Sequence, residues 1–293
     1  MRLRASSVIR VCSKLGECKQ KQSFCGTEKP EVFLVYDENG FKTTRLVELG
    51  NNFDDYVGIY VDDANWGAVL RAEYGKNDDM ESRIFLYRKA YESISSWCDE
   101  FPDGQIVAYN ERDLNDELPP MDVQLAWKLA KLNNMAPQLV IEPSGMINSR
   151  RIAANCIADV PKKYHSLVHN PDGNMLVCFS IAVRPEDRGK GVPELIIPKQ
   201  LMLAKKLGLR PIAYSRPGNY GQYVEKYGEI PIEKYLEVEN GNLKIRDEKG
   251  RPYDKAIGMH LRLGGEIAAI IPDGRLRDWS ARGYNVIVDY AKV

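Results

Sequence analysis

MLVCFSIAV at residues 175–183 runs into RPEDRGKGV at 184–192 and then PELIIPKQLMLAKKL at 193–207. The first segment is apolar without alternation, which predicts a central strand buried on both faces. The second is a turn built to hold an anion. Gly189 and Gly191 let the backbone approach a ligand closely, and the unpaired N–H groups at the start of the following helix favour phosphate oxygens. After Gly208, residues 210–215 read as another strand. A strand, helix and strand of these lengths predict two parallel strands joined by a right-handed crossover.

Working outward, strands at 31–36 and 41–49 flank Asn39-Gly40, a hairpin signal with a type I′ turn. A third strand is expected at 56–61. Ile84, Tyr87, Tyr91, Ile94 and Cys98 recur at helical spacing and predict a helix over 80–100, stopped by FPDG at 101–104. A short strand at 105–109 leads into a solvated acidic loop at 110–117. A helix is expected at 121–134, with Val123, Trp127, Ala130 and Leu132 inward, followed by strands at 138–141 and 152–158. The turn NPDG at 170–173 launches the central strand. Helices are expected at 219–227 and 231–239, the second closed by Asn240-Gly241, and strands at 256–263, 266–272 and 284–290. The fold class is therefore α/β with a mixed sheet.

The chain has 293 residues, 44% hydrophobic and 28% charged, enough for a sizeable core. Its 41 Lys and Arg balance 41 Asp and Glu, which removes the global field that would favour a nucleic-acid partner. No stretch approaches the roughly 20 apolar residues of a membrane span, and no apolar core of signal-peptide length opens the chain. A cytoplasmic location and no membrane partner follow as expectations. Cys12, Cys18, Cys25, Cys98, Cys156 and Cys178 include no Cys-x-x-Cys pair, so free thiols and no metal site are expected.

VRPEDRGKGV at 183–192, after an apolar strand and before a Leu-rich helix, resembles motif A of the GNAT acyltransferase superfamily. HNPDGNMLVCFSIAVRPEDRGKGV, LAKKLGLRPIAYSRPGNY and MHLRLGGEIAAIIPDG are similar to successive segments of a GNAT subgroup that also occurs fused to carbon-nitrogen hydrolase domains. The resemblance spans about 160 to the last residue, thins over 80–160 and is absent before about 55. It implies a GNAT-like acyl-CoA N-acyltransferase fold over 56–293, with splayed central parallel strands, behind an N-terminal β-hairpin extension over 1–55. It also implies acetyl-CoA or another acyl-CoA as co-substrate. Backbone groups of Ile181, Ala182 and Val183 would pair with the pantetheine, and Arg188, Gly189, Lys190, Gly191 and Val192 would receive the pyrophosphate. Pro193 departs from the motif and removes one N–H donor, and Pro198 predicts a kinked or delayed helix.

Direct transfer from a thioester to an amine needs a deprotonated amine and a protonated leaving thiolate. The resemblance implies a Tyr acid shortly after the second splayed strand, which points first to Tyr220 and then to Tyr223. His169 and His165 suit proton transfer near neutral pH. Cys178, inside an apolar strand, should carry a raised pKa and be inert. His260 reads as a strand residue. The acceptor is expected to be a small-molecule amine or amino acid, and exposed hairpin edges offer pairing with a second copy of the chain. A reading from another class keeps the fold as a non-catalytic module that binds CoA or a protein.

Overall fold

The computed structural model describes residues 41–47, 53–62, 66–112 and 140–293. Within them lie β1 (Lys42–Arg45), α1 (Phe53–Val61), α2 (Gly67–Tyr74), α3 (Met80–Glu100), β2 (Gln105–Arg112), β3 (Val140–Ile152) and β4 (Met175–Val183). There follow α4 (Val192–Lys206), β5 (Arg210–Ser215), α5 (Tyr220–Tyr227), α6 (Ile232–Tyr235), β6 (Val238–Glu239), β7 (Asn242–Leu243), α7 (Lys255–Arg262), β8 (Glu266–Ile271) and β9 (Asn285–Asp289). Among the described residues a seven-stranded sheet runs in the order β1-β2-β3-β4-β5-β9-β8, so β4 and β5 are central and β1 belongs to the same sheet. All its pairings are antiparallel except β4 with β5.

Each sheet face buries its own core. Val177, Phe179, Ile212 and Tyr214 point toward α1 and α3. Cys178, Val183, Ala213 and Val286 point the other way, among side chains of α4, α5, α6 and α7. The helix α3 begins where the side chain of Asp79 accepts the Ser82 amide at 2.7 Å. Its inward stripe is Leu86, Ala90, Ile94, Trp97 and Cys98, while Tyr91 is exposed.

Several expected elements are different. Residues 56–61 are helical, because Tyr56, Val57 and Tyr60 are buried at helical rather than alternating spacing. Residues 256–263 are the helix α7, started by the Asp254 carboxylate accepting the Ile257 amide at 3.0 Å, so His260 is helical. The expected strand at 152–158 ends at Ile152, and β3 lies instead over 140–152, where Pro143 sits beside a bulge that lets it join the ladder. Asn240-Gly241 does not close a long helix. Both residues have positive φ (50° and 73°) and turn the β6–β7 hairpin after a single turn of α6. The helix α4 runs through Pro198 without a delayed start. The carbonyl that Pro198 leaves without its usual donor belongs to the exposed Glu194, where water can serve it. The 31–36 hairpin strand with Asn39-Gly40, the 121–134 helix, most of the acidic loop, and Cys12, Cys18 and Cys25 lie outside the described residues. Among the described residues no helix is long and apolar enough to cross a membrane.

Candidate acyl-CoA site

The central parallel strands pair only from Met175 with Arg210 to Cys178 with Ala213. Beyond that point β5 stays with β9, through Tyr214 with Ile287 and Ser215 with Val286. β4 stays with β3, and the two strands part. A β-bulge marks the separation. Asn148 pairs with Ser180 and Ser149 with Cys178, which leaves Phe179 as the extra residue of β4. A bulge bends its strand and raises its twist, which turns the last part of β4 away from β5. Ile181, Ala182 and Val183 stand on this diverging stretch, held on the far side by Ile147, Met146 and Gly145.

Val183 leads directly into the Gly-rich loop. Asp187, 1% exposed, anchors it by accepting from Arg184 Nε at 2.8 Å and Lys190 Nζ at 3.0 Å. Burial works to raise this carboxyl, but the bonds from Arg184 and Lys190 hold it below the usual carboxylate range. Gly189 and Gly191 have φ of 79° and 86°, values that L side chains rarely adopt. Among the described residues, the amides of Gly189, Gly191, Val192 and Glu194 make no backbone hydrogen bond. They are the donors a diphosphate would take, and Pro193 subtracts one. Arg188 and Lys190 are exposed, whereas Val192 is buried. Gly145 makes room for the loop. A Cβ there would come within 2.9 Å of both the Ala182 carbonyl and Val192 Cγ1, and nothing in the sequence signalled that approach.

On the α1 and α3 side of the sheet, a cleft of about 370 Å³ ends at the bulge residue Phe179. Tyr60, Trp97, Arg150, Tyr164 and His165 are among its walls. Trp97 meets Phe179 edge-on at 4.8 Å, and the Arg150 guanidinium lies 5.7 Å from the same ring. The cleft therefore borders the side chain of the bulge residue, next to where the strands part. Its lining comes from helices, strands and turns far apart in sequence, and His165 is the one catalytic candidate from the sequence among them.

The remaining candidates are dispersed. His169 stacks on Phe101 at 5.4 Å near the start of β4, and burial lowers its pKa. Tyr220 and Tyr223 lie across the sheet among Tyr235, Tyr253 and Tyr284. The Tyr220 hydroxyl donates to the Ile230 carbonyl at 2.5 Å, and burial raises its pKa, so the phenol stays protonated at neutral pH. Burial pushes the Cys178 thiol up to about 12, which leaves it un-ionised.

No protein-family model and no curated protein sequence matches the chain. Solved structures do match in fold. The loading GNATL domain of CurA from Lyngbya majuscula superposes with a TM-score of 0.54 at 18% identity, over 85% of this chain and 96% of that one. The GphF GNAT-like decarboxylase, solved in complex with isobutyryl-CoA, gives 0.51 at 21% identity, over 85% and 97%. The fold is that of the GNAT proteins.

Proposed function

We propose that the chain binds an acyl-CoA along the parting of β4 and β5 and transfers its acyl group to an amine. The observation that carries this reading is the continuous path from the bulge at Phe179, along residues 179–183, to a left-handed Gly loop with unpaired amides. The open edge of β4 offers backbone groups to the amides of a pantetheine arm, as a further strand would. The loop and the start of α4 offer N–H groups to the pyrophosphate. The thioester then lies at the bulge, beside the cleft, where an amine can attack its carbonyl carbon. The C–N bond forms, the C–S bond breaks, and the leaving thiolate takes a proton.

Tyr220 supplies that proton only by giving up the Ile230 carbonyl, so water at the cleft is the simpler donor. The exposed His165 on the cleft wall is a candidate to receive the proton of the amine, ahead of the partly buried His169. A small amine, amino acids included, suits a cleft of this volume better than a macromolecule. A second reading, decarboxylation of a carboxyl-bearing acyl-CoA, is supported by the GphF likeness and by the absence of any carboxylate within β4. Calorimetry with acetyl-CoA, followed by thiol release with a panel of amines and product mass with malonyl-CoA, separates the readings. Thiol release that depends on an amine supports transfer. Loss of 44 mass units from malonyl-CoA, without thiol release, supports decarboxylation.

A further inference from the structure

Beside Tyr164, two guanidinium groups lie over one indole. Arg275 is 4.6 Å from the ring of Trp66 and Arg216 is 5.9 Å from it. Arg275 is also 5.1 Å from the ring of Tyr164, which itself lines the cleft. Arg216 has its counter-ion: Asp278 lies 2.9 Å from its Nε and accepts from its Nη2 at 3.0 Å, and Ser280 completes the set. Asp254, the other carboxylate acting on Arg216, is occupied by the amides of Asn219 and Ile257 and by the Tyr235 hydroxyl.

Arg275 has no such arrangement. The residue is 4% exposed, yet among the described residues its Nε and Nη1 have no hydrogen-bond partner, and neither does the buried Nε1 of Trp66; Arg216 Nε and Asp278 Oδ2 also make no hydrogen bond, but they face each other at 2.9 Å. Three donors withdrawn from water without an acceptor are costly, and a buried charge adds to that cost. The group that would satisfy them is an anion with at least two acceptor oxygens, which a guanidinium fork and an indole N–H can hold together. The position limits its source. Arg216 follows the last residue of β5 and Arg275 lies in the β8–β9 connection, so the donors stand on the β5 side of the parting, across from the Gly loop.

We propose that Arg275 and Trp66 form a carboxylate-recognition site for the reacting part of the substrate, a refinement that rests on the acyl-CoA reading above. Two sources share this chemistry: the distal carboxylate of a dicarboxylic acyl-CoA and the carboxylate of an amino-acid acceptor. Arg275 holds the carboxylate directly and so sets where the thioester or amine lies.

The test measures binding by calorimetry for wild type, Arg275→Gln, Arg275→Lys and Trp66→Phe, with thermal melts to verify folding. In one arm malonyl-CoA and succinyl-CoA are compared with acetyl-CoA. In the other, with acetyl-CoA bound, amino acids are compared with the amines lacking their carboxylate. Wild type should prefer the carboxylate-bearing ligand at least tenfold in one arm, and that arm identifies the source. Arg275→Gln should abolish the preference while acetyl-CoA affinity stays within twofold. Arg275→Lys should restore part of it, and Trp66→Phe should reduce it several-fold. If acetyl-CoA binds and neither arm shows a preference, or if Arg275→Gln weakens every ligand equally, the carboxylate site is wrong and the acyl-CoA reading stands. If acetyl-CoA does not bind, that reading falls, and titration with free malonate against Arg275→Gln decides the carboxylate site alone: Arg275-dependent binding supports it, and none overturns it.

Discussion

The two sides of the opening between β4 and β5 carry their chemistry in different ways. On the β4 side it resides in the backbone: amides of Gly189, Gly191 and Val192, left without a backbone partner among the described residues in one contiguous loop with two left-handed glycines. On the β5 side it resides in side chains: Arg216, Arg275, Asp278 and Trp66, brought from three distant stretches of the chain. A backbone site tolerates changes of side chain but not of conformation. A side-chain site tolerates neither loss of its charge nor loss of its supports.

The largest effect expected from this contrast comes from Gly191→Glu. It places a side chain at φ of 86° and adds a negative charge where the pyrophosphate would lie. Acetyl-CoA affinity should fall at least about 100-fold by calorimetry, against about 1–2 kcal/mol of stability lost to the left-handed backbone. Unchanged affinity would place the anion elsewhere.

Next is the frame both sides share. His260 is fully buried, its Nδ1 is 2.5 Å from the Tyr290 hydroxyl, and burial lowers its pKa to about 4. Because the folded state resists the proton that an unfolded His accepts near pH 6.5, this contribution is complete above that pH. It declines as pH falls toward 4. Urea melts should lose about 2 kcal/mol between pH 7 and pH 5, and His260→Gln should flatten that slope. An equal slope in the variant would remove His260 as the cause.

Asp187→Asn tests the loop anchor with a smaller change. Its partners are partly exposed, so about 1 kcal/mol at pH 7 is expected. The Asp187 carboxyl is held below its usual range, so this stabilisation is present above about pH 4 and fades below it, where variant and wild type should converge. The smallest effect belongs to Tyr220→Phe. Losing the bond to the Ile230 carbonyl should cost about 1 kcal/mol, with less than a tenfold drop in amine-dependent thiol release. A drop of 100-fold would make Tyr220 the acid.

The same contrast explains what could be read from the sequence. The β4 side is local: an apolar strand, two glycines and a helix start lie within one stretch, and its fold, its parallel partner β5 and its open amides could all be anticipated. The bulge at Phe179 could not, because it depends on register with β3. The helix at 255–262 was missed because Met259, Leu261 and Leu263 alternate with polar residues as a strand would, while the Asp254 cap and the burial of Ile257, His260 and Leu261 make a helix. Trp66 and Arg275 are 209 positions apart, and neither carries a local pattern. Only the packing of Arg275 against Trp66 and Tyr164, with donors left unpaired, singles them out.

The most direct test of the acyl-CoA site is one calorimetric comparison of acetyl-CoA binding by the wild-type chain and by Gly191→Glu, with both folded. The wild type should show saturable one-site binding, and the variant should lose it. No binding by the wild type, or equal binding by both, would contradict it.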